Sequence, residues 1–275
     1  MVTSRKYYIP EEVSAAKSVL IEVMHILGDY RDEVILVGGW VPEMFFPKSI
    51  IPHVGSNDVD ILLNHNEIDN SKYKTIKKLL ENRGYFQSEE QPFIFYKRVI
   101  IKNGSAVTVQ VDFLSGEFQG TGKNRRTQKV QDMKPRKVRG GDLAYTHTEN
   151  IKLCGKLPNG TNGQVDFKIV ALPAFIIMKG IALKNRMKEK DAFDIYFCLL
   201  QFGENIKSLT DKFTGLMNKN IVQESLTNLK EAFLNINSYG PTMIADFEEV
   251  EGEERERIIR DSYERMNMFL SLLKQ

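Results

Sequence analysis

The sequence predicts an α+β fold, with a mixed-sheet domain over residues 1–171 and an α-helical bundle domain over 172–275. Three observations carry this. Short apolar runs and hairpin turn signals fill the first part of the chain. A helical pattern takes over after Pro173 and continues to Leu273. The order is therefore strands first and helices after, not the alternation of a parallel α/β sheet.

Taken in order, ProGluGluVal at 10–13 opens a helix through Leu27, with Pro10 in the first turn. Val34–Val37 is a fully apolar strand ending at Gly38-Gly39. Residues 41–46 form a short helix closed by Pro47. Residues 58–63 are the second strand, and 71–82 an amphipathic helix ended by Gly84. Residues 93–101 and 106–114 flank Asn103-Gly104, a strong hairpin signal. A second hairpin spans 151–170 around AsnGlyThrAsnGly. The helical part breaks near Gly203, at 218–220 and at Gly240-Pro241. The polar stretch 185–190 reads as a loop between two helices.

A chain of 275 residues with 42% hydrophobic and 27% charged content is that of a globular protein. The net charge of +2 selects no partner. Cys154 and Cys198 are far apart and form no CxxC, which fits reduced thiols. The first ten residues lack a leader's apolar core, and no uncharged apolar run reaches the roughly 20 residues of a membrane span. The expectation is a cytoplasmic protein that does not enter a membrane.

The chemistry concentrates at Asp58-Val59-Asp60. Alternate residues of a strand share a face, so both carboxylates point the same way. Like charges so close favour a cation between them. An Asp-x-Asp strand beside a glycine turn suits Mg²⁺ held against a triphosphate. Further on, Thr108, Gln110 and Asp112 share one face of a strand whose other face is Val107, Val109 and Val111. Asp112 can join the first pair and complete a two-metal set. Asp166, in a second ValAspPhe, is its rival; Asp112 is preferred because its hairpin lies nearer in sequence.

Between Glu117 and Asp142 stand eight basic residues against three acidic ones. The basic segment 123–139 (Lys123, Arg125, Arg126, Lys129, Lys134, Arg136, Lys137, Arg139) reads either as an irregular guide for a polyanion such as RNA or as a plain solvated loop. The acidic tract 246–256 reads as a solvated helix face in preference to a site for a basic partner. Lys179 interrupts an apolar helical stretch, and Asp191 and Asp194 are spaced to share a helix face. Alone, Lys179 is a snorkelling lysine and Asp194 a packing acid. Trp40 and Cys198 read as core residues. His25, His53, His65 and His147 show no metal-ligand spacing; His53, five before Asp58, reads as a surface residue in preference to a phosphate contact.

The layout resembles the nucleotidyltransferase superfamily, and within it the AbiEii-type toxin group. The superfamily's glycine turn, Asp-x-Asp and later Asp look like Gly38-Gly39, Asp58/Asp60 and Asp112. The group's serine two before the first Asp is matched by Ser56. Its downstream Lys, Arg and basic-Asp-x-x-Asp pattern is similar to Lys179, Arg186, Lys190-Asp191 and Asp194. The likeness spans about residues 33–200 and departs at Val54, where an arginine is common, and at Trp40, where a serine or threonine often follows the glycines.

The resemblance implies a nucleotidyltransferase-like sheet domain. It implies transfer of a nucleoside monophosphate from an NTP to an RNA acceptor, notably tRNA, by the toxin of a toxin–antitoxin pair. Asp58, Asp60 and Asp112 would hold Mg²⁺; Gly38, Gly39, Ser56, Lys179 and Arg186 would meet the nucleotide; Asp191 would orient Lys179. An antitoxin protein is then an expected partner. Two other readings stay open: transfer to a small molecule or protein hydroxyl, and a degenerate binding module of the same fold.

Overall fold

The structure, a computed structural model, describes residues 4–65, 67–68, 75–117 and 127–273. It is a mixed α+β protein and divides into two compact units. One comprises Tyr8–Met44 and Val54–Ala171; the other comprises Leu172–Gln275 together with Met1–Tyr7 and Phe45–His53.

The sheet unit opens with α1 (Pro10–Ile26). Ala16, Val19, Leu20 and Val23 on one side of this helix are buried, as a core-facing stripe requires. Strand β1 (Val34–Val37) runs into a tight 3-10 turn, Gly38–Trp40, and the short α2 (Val41–Phe45). Then come β2 (Asp58–Leu63), α3 (Ile76–Glu81), β3 (Phe86–Gln87), β4 (Ile94–Ile100), β5 (Ala106–Ser115) and β6 (Arg136–Lys137). The unit ends with α4 (Gly141–Thr146) and the long hairpin of β7 (Thr148–Lys156) and β8 (Asn162–Val170).

The strands order as β3-β4-β5-β2-β1-β8-β7, with β6 beside β5. β1 runs antiparallel to β2 and parallel to β8; β2 and β5 are parallel. Both expected hairpins form, β4 against β5 and β7 against β8. Gly104 takes a φ of +85° at the first turn, which is why glycine stands there.

Alternation divides the sheet into two faces. Leu36, Val59, Ile61, Val109, Val111, Phe113, Phe167 and Ile169 are buried and line the face that α1 covers. At the hairpin a β-carbon on Gly155 would sit 2.6 Å from the end of the Ile21 side chain, so α1 lies close over this part of the sheet. The other face carries Val37, Asp58, Asp60, Gln110 and Asp112.

The sequence reading of 117–142 as an irregular loop needs correction over its described part. Gln128 N–H donates to Pro135 O, Val130 and Met133 bond each other, and Thr127 bridges Arg136, so 127–136 is a small hairpin. Val130 and Met133 are buried and anchor it. Arg136 and Lys137 then pair with Leu114 and Ser115 of β5. Lys123, Arg125 and Arg126 lie outside the described residues, as do positions 71–74 of the expected helix at 71–82.

The helical unit contains α5 (Leu172–Arg186), α6 (Glu189–Phe202), α7 (Ile206–Thr210), α8 (Asn220–Ala232), α9 (Tyr239–Glu248) and α10 (Gly252–Leu272). α5 packs on α6 and α8, and α6 packs on α9 and α10. At Gly180 a β-carbon would lie 2.3 Å from Ser225 Oγ, and that hydroxyl donates to Ile177 O at 2.9 Å. The helices approach as closely as a glycine allows.

Two early segments belong to this unit. Phe46 meets Phe197 and Phe202 edge-on. Arg5 and Lys6 pair with Glu248 and Glu249. The acidic tract is therefore not simply a solvated face: Arg5 and Lys6 neutralise two of its acids and Arg255 pairs with Asp246. Among the described residues no helix is long and apolar enough to cross a membrane.

Candidate functional site

The site is built where β1 ends and β2 begins. Gly38 has a φ of +76°, open to glycine and strained for any other residue. A β-carbon there would fall 2.0 Å from Asp60 Oδ2 and 2.8 Å from Asp60 Cβ. The Asp60 carboxylate thus lies directly on the turn, in space that only a missing side chain leaves. Trp40, fully buried two residues on, donates its Nε1–H to Asp58 O at 2.7 Å. The turn thereby fixes the first residue of the carboxylate strand. This gives Trp40 a positioning task as well as the packing role its sequence context suggests.

Asp58 and Asp60 are half-buried, and Asp112 is 6% exposed. Ser56 Oγ–H donates to Asp58 Oδ1 at 2.5 Å. In the parallel register of β2 and β5, Asp58 stands opposite Gln110 and Asp60 opposite Asp112. Registered neighbours share a face, so the three carboxylates stand on the same face of the sheet. Gln110 Nε2–H donates to Asp112 Oδ1 at 2.7 Å, which orients that acid. Gln110 is absent from the set the sequence nominates, although its alternation with Asp112 put it on the right face.

Asp166 is elsewhere. It is exposed and pairs with Lys152 of β7, on the far side of β1.

All donors in the patch are hard carboxylate oxygens, the set that Mg²⁺ prefers, and Asp60 occupies a glycine-walled recess. Asp58, Asp60 and Asp112 supply donors of that type. Among the described residues no three His, Cys, Asp or Glu side chains form a ready cage for a metal.

Lys179, Arg186 and Asp191 come together within the helical unit. Lys179 Nζ donates to Asp191 Oδ1 at 2.8 Å and lies 2.7 Å from Asp194 Oδ2. Arg186 forks onto both oxygens of Asp191, at 2.6 and 2.7 Å. Lys190 Nζ–H donates to Asp194 Oδ1 at 2.6 Å, and His53 Nε2 sits 2.9 Å from the same atom. Burial opposes charge on Lys179, but the Asp191 and Asp194 carboxylates overcome it and hold the ammonium charged well above its ordinary range. Burial likewise opposes charge on Asp194, and Lys179 and Lys190 overcome it, so this carboxyl stays ionised far below its usual range.

His53 departs from the surface role read from sequence. It is buried, stacks on Phe193 and meets Phe197 edge-on. Burial first, and Lys190 second, push its pKa down to about 4 despite the bond to Asp194. Nothing local announces this, because its partners lie about 140 residues away on α6. Cys198, on the same helix, is a fully buried thiol whose pKa burial drives upward.

Comparison of the chain with protein-family models, with curated proteins and with solved structures finds no match.

Proposed function

We propose that this chain is a Mg²⁺-dependent nucleotidyltransferase that moves a nucleoside monophosphate from an NTP to an RNA acceptor and releases pyrophosphate. The observation that carries the reading is the seating of Asp60 on Gly38, with Asp112 in register beside it. A carboxylate patch against a side-chain-free turn lets a triphosphate approach the backbone while hard oxygens face its counter-ions. Asp58, Asp60 and Asp112 would hold magnesium, which neutralises phosphate charge and lowers the pKa of an acceptor hydroxyl. Ser56 and Gln110 orient two of the three acids. Gly38 and Gly39 supply the approach.

RNA is proposed as the acceptor on the strength of the basic segment, whose described part is a fixed hairpin beside β5 and not a loose tail. On this reading the protein acts as a toxin restrained by an antitoxin protein. Lys179 and Arg186 would act on phosphate only by exchanging their carboxylate partners, so within the reading their first task is to build the helical unit. The test is incubation with Mg²⁺, each α-labelled NTP in turn and total tRNA. Label should reach RNA with the native chain and not with an Asp58→Ala/Asp60→Ala double variant. Label on RNA from both proteins, or from neither while NTP binding is absent, would overturn the assignment.

A further inference from the structure

We propose that Arg136 is a phosphate-binding residue of the carboxylate site, the cation that receives the triphosphate tail of the nucleotide and the pyrophosphate that leaves. The inference rests on the nucleotidyltransferase reading and names a residue that reading does not require.

Position is the first argument. Arg136 pairs with Leu114, two residues along β5 from Asp112. Residues two apart on a strand share a face, and registered partners share it too. By register Arg136 therefore belongs to the row of Leu114, on the face that bears Asp58, Asp60 and Asp112. Strand spacings of about 4.8 Å across and 3.3 Å per residue put its Cα about 8 Å from that of Asp112. A long guanidinium spans such a gap, and an NTP tail extends over a similar length.

Its placement is fixed from both sides. β5 holds one edge of the Arg136 backbone and Thr127 bridges the other. The guanidinium is held over the ring of Phe93, 5.3 Å from its centroid. Such stacking orients a planar cation by its face and not by its N–H edge.

Arg136 Nε is buried and meets no hydrogen-bond acceptor among the described residues. An unpaired buried N–H of a charged group is costly, and native structures seldom keep one without a use. The contrast with Arg186 is informative, since that guanidinium already spends two donors on Asp191. A bidentate phosphate is the ligand that a stacked, fixed guanidinium beside a carboxylate–Mg²⁺ patch fits best.

The experiment titrates the full chain with inorganic pyrophosphate in Mg²⁺, and separately with each NTP, by calorimetry. It compares the native protein with Arg136→Gln, Arg136→Lys and Asp60→Asn, each checked for an unchanged melting temperature. We expect Arg136→Gln to weaken pyrophosphate and NTP binding at least tenfold and Arg136→Lys to recover part of the loss. Nucleoside monophosphate binding should change much less. If Arg136→Gln binds pyrophosphate as the native chain does while Asp60→Asn does not, the inference fails and the carboxylate site stands. If the native chain binds neither pyrophosphate nor any NTP, the functional reading fails and takes the inference with it. Should Arg136→Gln melt lower than the native chain, a folded Arg136→Leu decides: weakened pyrophosphate binding with nucleoside monophosphate binding kept supports the inference, and native-level pyrophosphate binding overturns it.

Discussion

Replacing Gly38 with alanine tests the geometry of the site without touching any acid. A left-handed φ of +76° costs an L residue about 1–2 kcal/mol. The new methyl would also meet Asp60, at 2.0 Å from Oδ2, 2.7 Å from Cγ and 2.8 Å from Cβ. Rotation of the carboxylate relieves the first contact but not the last, because strand β2 fixes that β-carbon. Overpacking of this kind adds about 1–3 kcal/mol. The expected loss is therefore roughly 2–5 kcal/mol, or a fall of roughly 10 °C in the midpoint. Gly104→Ala separates the two contributions: its φ is +85°, yet a β-carbon there meets nothing within 4 Å. It should lose only the backbone share. Trp40 is the one tryptophan of the chain and is buried beside the turn, so its fluorescence in urea reports on this region directly. A Gly38→Ala variant no less stable than Gly104→Ala would refute the claim that Asp60 is lodged on the glycine.

Two further predictions concern the buried charges of the helical unit. Asp194→Asn leaves Lys179 and Lys190 buried with one carboxylate fewer, and should destabilise the protein by about 3–5 kcal/mol in urea unfolding, whereas Asp211→Asn, at the exposed Lys207 pair, should leave the midpoint in place. The pH dependence follows from His53. Its folded pKa, about 4, lies below the ordinary 6.5, so the unfolded chain binds the proton more tightly. Stability is then full above about pH 6.5 and falls as pH drops towards 4, by a few kcal/mol at most. Asp191 and Asp194, held ionised below the usual carboxylate range, extend the loss to still lower pH. His53→Gln should flatten the decline between pH 6.5 and 4, and an unchanged slope would mean that other groups set it.

Much of the sheet was legible because its signals are local. The four apolar residues 34–37 end at a glycine pair, and all four are buried in β1. Asn103-Gly104 turns where such a pair should. The 107–111 alternation puts valines on the helix-covered face and leaves Gln110 and Asp112 on the other. The nonlocal features were not legible. β6 has two residues, both basic, and exists because β5 offers it an edge; no periodicity in 136–137 could announce that. The assignment of Phe45–His53 to the helical unit depends on Phe46 and His53 meeting α6, which lies far along the chain. The aromatic pair Phe45-Phe46, ahead of Pro47, is the one sequence hint that this connection packs against something. At the candidate site the spacing already favoured Asp112 over Asp166, and the strand order puts Asp112, not Asp166, in register with Asp60.

That choice also gives the most direct test of the central claim, that Asp58, Asp60 and Asp112 act as one phosphate-transfer site. The measurement is label transfer from each α-labelled NTP to tRNA in Mg²⁺ by Asp112→Asn and Asp166→Asn, side by side with the native chain. Asp112→Asn should lower transfer by at least a hundredfold while Asp166→Asn transfers as the native protein does. Native-level transfer by Asp112→Asn, or its loss on replacing Asp166, would contradict it.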